Sequence, residues 1–209
     1  MEQNEFLAQV RAKATGWLAP GYDAETRHEV QRMLDNPDTT ELVEAFYKDL
    51  EFGTGGLRGI MGVGSNRMNR YTVGAATQGL ANYLKREFAS LPQIAVAIGH
   101  DCRNNSDVFA RITAEVFSAN GIKVYLFDAL RPTPEVSFAI RELGCQSGVM
   151  ITASHKPKEY NGYKAYWNDG AQMIAPHDRN TIIEVNKVTK VEDIHLDARQ
   201  ELIELIGED

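Results

Sequence analysis

The sequence predicts an α/β fold: a helix-covered, mostly parallel (mixed) sheet with an N-terminal helical extension. Three observations predict it. Short apolar runs at 94–98 (IAVAI), 123–127 (KVYLF) and 147–151 (SGVMI) have the length and composition of buried strands. The segments between them, 107–120 and 135–143, read as helices and run into Gly121 and Gly144, the residue type that closes helix C-termini. Residues 1 to about 50 carry helical spacing and no strand-like run. Strands alternating with helices make βαβ units and a parallel sheet.

Each element follows from its pattern. Phe6, Leu7, Val10 and Trp17 form the apolar stripe of a first helix, which Pro20-Gly21 ends. Val30, Met33 and Leu34 mark a second, with Asp23 and Thr26 as candidate caps and Asn36-Pro37 as its stop. Leu42, Val43, Phe46, Tyr47 and Leu50 mark a third. The glycine-rich stretch FGTGGLRGIMGVG, 52–64, reads as a loop, and 71–88 as a helix. Beyond 151 the sequence suggests a polar loop, hairpin pieces at 162–167 and 171–174, and a helix at 178–188. The final LDARQELIELIGED reads as a helix with little sequence after it to cover Leu202, Ile203, Leu205 and Ile206. The chain divides into a helical extension, 1–45, and an α/β domain, 46–209.

Composition narrows the function classes. The 209 residues are 43% hydrophobic and 24% charged, enough apolar content to bury a core without disulfides or a structural metal. A net charge of −7 argues against a broad nucleic-acid surface, though not against a local basic cleft. No eighteen-residue apolar stretch offers a membrane span, and the charged start is unlike a signal peptide. A cytoplasmic location follows as the expectation. Cys102 and Cys145 lack metal-ligand spacing and read as two buried thiols in a reducing compartment.

Open α/β sheets bind ligands beyond the carboxyl ends of their strands. The three segments there are GHDCRNNS (99–106), DALRPTP (128–134) and TASHKPKEYNGYK (152–164). All are polar and carry cations; with Arg58 of the glycine-rich stretch they could build one basic cleft. Ser154 leaves a buried strand beside His155, the placement of a nucleophile that needs a base or nearby positive charge. Lys156, Lys158 and Lys164 bring charge suited to a phosphorylated serine and to a transferring phosphoryl group. Local context alone also fits an ordinary turn serine, and the glycines also fit an ordinary tight turn. Esterase chemistry lacks the Gly-x-Ser-x-Gly elbow and an acid partner for His155.

In order, FGTGGLRGIMG, GHDCRNNSDVFA, RPTPEVSFAI and TASHKPKEYNGYKAYWNDGAQ resemble the α-D-phosphohexomutase family. The resemblance covers residues 40–209, and the helical lead-in is similar to that of the phosphoglucomutase/phosphomannomutase branch. It implies a first domain of four, in which the phosphoserine, here Ser154, exchanges a phosphoryl group with a hexose monophosphate through a sugar bisphosphate. It further implies that His155 and Lys164 line the reaction centre and that Arg58 helps bind the phosphoryl group. Asp101 and Arg103 would support the site, with Gly55, Gly56, Lys156 and Asn161 as further binding or supporting positions. Implied cofactors are Mg2+, with a phosphoserine oxygen of Ser154 as one ligand, and a glucose 1,6-bisphosphate-type activator. Implied partners are a hexose phosphate, glucose phosphate favoured over mannose phosphate, and domains II–IV of the same polypeptide. Two features depart from the family pattern. Lys156 stands where most members have asparagine, and no Asp-Gly-Asp-x-Asp-Arg metal loop is present. The chain is therefore expected to be a first-domain piece, inactive alone. The alternative is a non-catalytic short paralogue that binds sugar phosphates or a protein partner.

Overall fold

The computed structural model describes residues 2–207. Three helices come first: α1 (Glu2–Gly16), α2 (Ala24–Asp35) and α3 (Thr40–Phe46). Their apolar faces form a cluster of their own around Val10, Val30, Met33, Leu42 and Phe46, closed by Tyr71 and Val191 from the α/β part. Of the two candidate caps of α2, Asp23 performs the role: its carboxylate accepts from the Thr26 N–H at 2.8 Å. The same carboxylate accepts the Tyr71 hydroxyl at 2.7 Å, so the cap also ties the lead-in to the helix that carries Tyr71.

The remaining elements are β1 (Gly56–Ile60), α4 (Arg70–Glu87), β2 (Ala95–His100), α5 (Ser106–Ala119), β3 (Lys123–Phe127), α6 (Thr133–Glu142), β4 (Ser147–Ile151), β5 (Tyr160–Trp167), α7 (His177–Val185) and β6 (Ile203–Ile206). The six strands form one sheet in the order β1-β5-β4-β2-β3-β6. β4, β2, β3 and β6 run parallel, while β5 is antiparallel to both β4 and β1. The expected helix-covered mixed sheet is what the chain forms. One face buries Val96, Ile98, Val149, Ile151 and Tyr163 against α4 and α5. The other packs Ala97 and Met150 against Val136, Ala139 and Ile140 of α6, which lies over β2 and β4. Among the described residues no helix is long and apolar enough to cross a membrane.

Four expectations change. The glycine-rich stretch contains β1, because β5 offers it an antiparallel partner along its full length. The 162–167 piece is a full strand inside the sheet; 171–174 contributes only a single bridge, Tyr166 to Gln172. The C-terminal segment is a short 3-10 turn, Gln200–Leu202, followed by β6 rather than a helix. Pairing with β3 satisfies backbone groups at that strand's outer edge, and Glu204 meets Lys123 at 2.7 Å. Finally, Cys145 is buried, its thiol pushed up to about 12 by burial, but Cys102 is exposed on the loop after β2.

Glu184 docks α7 onto α4. Its nearly buried carboxylate receives Arg86 of α4 at 2.6 Å and Lys187 at 2.8 Å. The Lys187 hydrogen bond leads in holding the carboxyl below its usual range; burial opposes it and Arg86 adds to it. A depressed folded-state value gives stability that is present above the unfolded carboxylate range and is lost as pH falls through the folded value. Glu184→Gln is expected to cost about 1 kcal/mol at neutral pH. It should also flatten the fall in Tm below about pH 4.5, as followed by thermal melts across pH.

Candidate active site

Ser154 stands three residues past the end of β4, exposed, with φ of 55°. A non-glycine residue in the left-handed region is uncommon and costs of order 1–3 kcal/mol unless its surroundings hold it. The surroundings do so. The Lys156 N–H closes a turn onto the Ala153 carbonyl at 3.1 Å. The Ser154 N–H reaches the Thr152 hydroxyl at 3.2 Å, and that hydroxyl donates to Asp101 Oδ2 at 2.6 Å. Asp101 Oδ1 accepts from the Ser106 hydroxyl at 2.8 Å and the Arg103 N–H at 3.0 Å. Asp101 thereby fastens the loop after β4 to the loop after β2 and to the start of α5.

Arg103 is the second fastener. Its guanidinium donates to four carbonyls of the serine loop: Ser154 at 2.5 Å, Lys156 at 2.6 Å, Pro157 at 3.0 Å and Tyr160 at 3.2 Å. A planar fork with five N–H donors can serve four acceptors at once, whereas an ammonium has three donors on a single nitrogen. Asn161, fully buried, completes the frame. Its amide donates to Ser106 Oγ at 2.9 Å and to the Asn104 carbonyl at 3.1 Å, and its own oxygen accepts the Gly162 N–H. Asp101, Arg103 and Asn161 thus hold the loop's shape, and none presents an idle group at its surface.

Arg58 and Lys164 lie on the sheet near the serine loop. Arg58 pairs with Gly162 and Lys164 with Gly56 across the antiparallel β1–β5 ladder, which puts both on one face as diagonal neighbours. That face also carries Met150, opposite Lys164, and is the one on which α6 lies chiefly over β2 and β4. Arg58 is exposed and Lys164 half-buried. Just beyond the β4–β5 ladder, the Thr152 N–H bonds to the Gly162 carbonyl at 3.0 Å. Thr152, Gly162 and Arg58 therefore form one row across three strands, and Ser154 follows two residues after its first member.

Two glycines permit this closeness. A Cβ on Gly56, at φ of 154°, would lie 1.9 Å from the Tyr163 carbonyl; one on Gly162 would lie 2.5 Å from the Thr152 carbonyl. Gly55 joins the same contact through its carbonyl, which accepts the Ala165 N–H. The Gly56 N–H is used within its turn, on the Gly53 carbonyl, so this pair serves to seat β1 against β5 rather than to cradle a ligand with that amide. Gly162→Ala should push β5 from the serine loop, at a cost of about 1–3 kcal/mol in urea unfolding.

The other sequence candidates divide. His155 and Lys158 are exposed on the loop. Lys156 is half-buried, its ammonium 5.9 Å from the Tyr160 ring centroid. The loop after β3 adjoins the others through the Arg131 N–H to the His100 carbonyl. Its arginine charge is nonetheless taken up locally, by Asp128 at 3.2 Å and Glu135 at 3.3 Å. Of the three strand-end loops, the first and third are therefore locked together while the second only borders them. Sequence reasoning missed Thr152 and Ser106, both buried and both bonded to Asp101. Their only signal was membership in the quoted motifs. Among the described residues no three His, Cys, Asp or Glu side chains cluster to hold a metal ion.

Residues 49–192 match the family model described as phosphoglucomutase/phosphomannomutase, alpha/beta/alpha domain I. The chain belongs to the phosphoglucomutase/phosphomannomutase family. The chain is 47% identical over 163 residues to a probable phosphoribomutase of Schizosaccharomyces pombe, covering 78% of the chain and 28% of that protein. It is 42% identical over 179 residues to a phosphoglucomutase of Staphylococcus haemolyticus, covering 84% of the chain and 31% of that protein. A crystal structure of a putative phosphomannomutase from Thermus thermophilus superposes with a TM-score of 0.61 at 26% identity, covering 78% of the chain and 33% of that protein. The chain spans under a third of the length of these two curated relatives.

Proposed function

We propose that this chain is the phosphoserine domain, 46–209 behind a helical extension 1–45, of a cytoplasmic sugar-phosphate mutase. Ser154 carries a phosphoryl group between the 1- and 6-positions of a hexose phosphate, with glucose phosphate favoured. One observation supports this most: an exposed serine held in the left-handed conformation at a strand exit, on a loop clamped through four carbonyls by Arg103. Such preorganisation suits phosphoryl transfer, where catalysis is mostly positioning and electrostatics.

In the first half-reaction a sugar hydroxyl oxygen bonds to the phosphorus of phospho-Ser154. The P–Oγ bond breaks, the hydroxyl gives up its proton, and Ser154 Oγ gains one. Ser154 Oγ then bonds to the other phosphorus of the sugar bisphosphate and gives up its proton, that sugar P–O bond breaks and the sugar oxygen gains a proton, which regenerates phosphoserine. Arg58 binds the phosphoryl oxygens, while His155 and Lys164 supply charge and acid–base function beside the reacting bond. Magnesium, if bound by the rest of the polypeptide, would take one phosphoserine oxygen as a ligand and neutralise phosphoryl charge. Domains II–IV of that polypeptide would supply the remaining cleft, and glucose 1,6-bisphosphate would prime Ser154.

A second reading concerns the sugar. The relative at 47% identity is named a probable phosphoribomutase, which favours a pentose phosphate moved between its 1- and 5-positions. Comparing kcat/KM for glucose 1-phosphate and ribose 1-phosphate, with glucose 1,6-bisphosphate as primer, decides between them. A glucose preference supports the first reading, a ribose preference the second, and no isomerisation of either counts against both. Residues 1–209 alone are expected to show no turnover in the same assay. Turnover by that piece would contradict the four-domain reading.

A further inference from the structure

Lys156 has an unusual setting for a cation two residues from a phosphate carrier. Its backbone is pinned on both sides, by its N–H to the Ala153 carbonyl at 3.1 Å and by its carbonyl to Arg103 at 2.6 Å. Its side chain is not pinned: among the described residues it forms no ion pair, and its ammonium rests over the Tyr160 ring at 5.9 Å. A half-exposed cation–π contact is a weak hold. A phosphoryl group on Ser154 would place a charge of about −1.5 to −2 within reach of a four-carbon stem rooted two residues away. A charge-assisted hydrogen bond to a phosphate oxygen is the stronger of the two contacts.

We infer that Lys156 is a phosphorylation-responsive phosphate-binding residue: it rests on Tyr160 when Ser154 is free and moves to the phosphate when Ser154 is phosphorylated. This rests on the phosphoserine reading and deepens it. The shift retains the phosphoryl group by favouring its dianion and by shielding phosphorus from water between turnovers. Tyr160 competes for the same ammonium, so it sets how firmly the charge is held in the free state. The Tyr160 carbonyl is itself held by Arg103, so the aromatic seat and the serine loop share one anchor.

The test uses the polypeptide that carries this chain, loaded with glucose 1,6-bisphosphate and freed of excess sugar. The 31P resonance of phospho-Ser154 is titrated, and its loss to hydrolysis is timed. Lys156→Met is expected to raise the second phosphate pKa by about half a unit. It should also shorten the phosphoserine lifetime about 3- to 10-fold, as expected when one charge-assisted contact is lost. Lys156→Arg should restore most of both. Tyr160→Leu is expected to act in the opposite sense, leaving the pKa equal or lower and the lifetime equal or longer. If Lys156 and Tyr160 merely prop up the loop, the Met and Leu variants will shorten the lifetime together, and that result overturns the inference. An unchanged pKa and lifetime in Lys156→Met overturns it as well. Absence of any phosphoserine signal in the wild-type protein instead rejects the reading on which it rests.

Discussion

If Ser154 is the phosphoryl carrier proposed above, Ser154→Ala is expected to lower mutase turnover of the polypeptide that carries this chain by at least about 10⁴-fold, the loss that follows removal of a covalent nucleophile. The loss should fall on kcat, with sugar-phosphate binding retained, because Arg58 and Lys164 come from β1 and β5 and not from the serine loop. Stability should change little or rise slightly. An exposed left-handed residue contributes no packing, and alanine suffers the same backbone strain as serine. Steady-state kinetics together with thermal melts read both effects. A variant that keeps more than about a tenth of wild-type turnover would be incompatible with a phosphoryl carrier at this position.

Arg103→Ala carries the second-largest effect, and it reaches the site without touching substrate. Removing the guanidinium, from a side chain that is only 14% exposed, takes the side-chain donor from four loop carbonyls, of which Pro157 alone keeps a backbone donor, the Tyr160 N–H. The expected cost is about 2–4 kcal/mol in unfolding, since some of the freed carbonyls regain water. Turnover should fall about 10²-fold as the serine loses its set position. Arg103→Lys separates geometry from charge. Lysine keeps the charge but cannot fan out to four acceptors, so it is expected to recover little. Full activity in Arg103→Lys would mean that charge, not the clamp, is what the loop requires.

Much of the fold could be read from local sequence. The strands β2, β3 and β4 announce themselves as short apolar runs because they are buried on both faces, and Gly121 and Gly144 close the helices between them in the left-handed conformation. Asp23 is legible as a cap because the interaction spans three residues. Elements that depend on distant partners were harder. β1 is glycine-rich and becomes a strand only because β5 lies beside it. In β6, Ile203, Leu205 and Ile206 suit a helix stripe as well as an edge strand, and β3, nearly eighty residues earlier, decides the outcome.

The site divides in the same way. Ser154, His155 and the lysines stand together in sequence, so their chemistry is suggested there. The roles of Asp101, Arg103 and Asn161 are contacts across more than fifty residues, and only the resemblance to a family brought them forward as supporting positions. Thr152 and Ser106 were passed over because a buried hydroxyl gives no pattern of its own; its meaning lies in Asp101, which receives both. The expectation of two buried cysteines failed at Cys102 because the loop that exposes it is shaped by Asp101 and Arg103 on either side.

The central claim is that Ser154 is the residue that carries phosphate. Phosphopeptide mapping tests it most directly, applied to the polypeptide that carries this chain after exposure to glucose 1,6-bisphosphate, beside its Ser154→Ala variant. The account predicts one phosphoryl group, located on Ser154, turning over with added sugar phosphate and absent from the variant. Active enzyme with phosphate on another residue, and Ser154 unmodified throughout turnover, would contradict it.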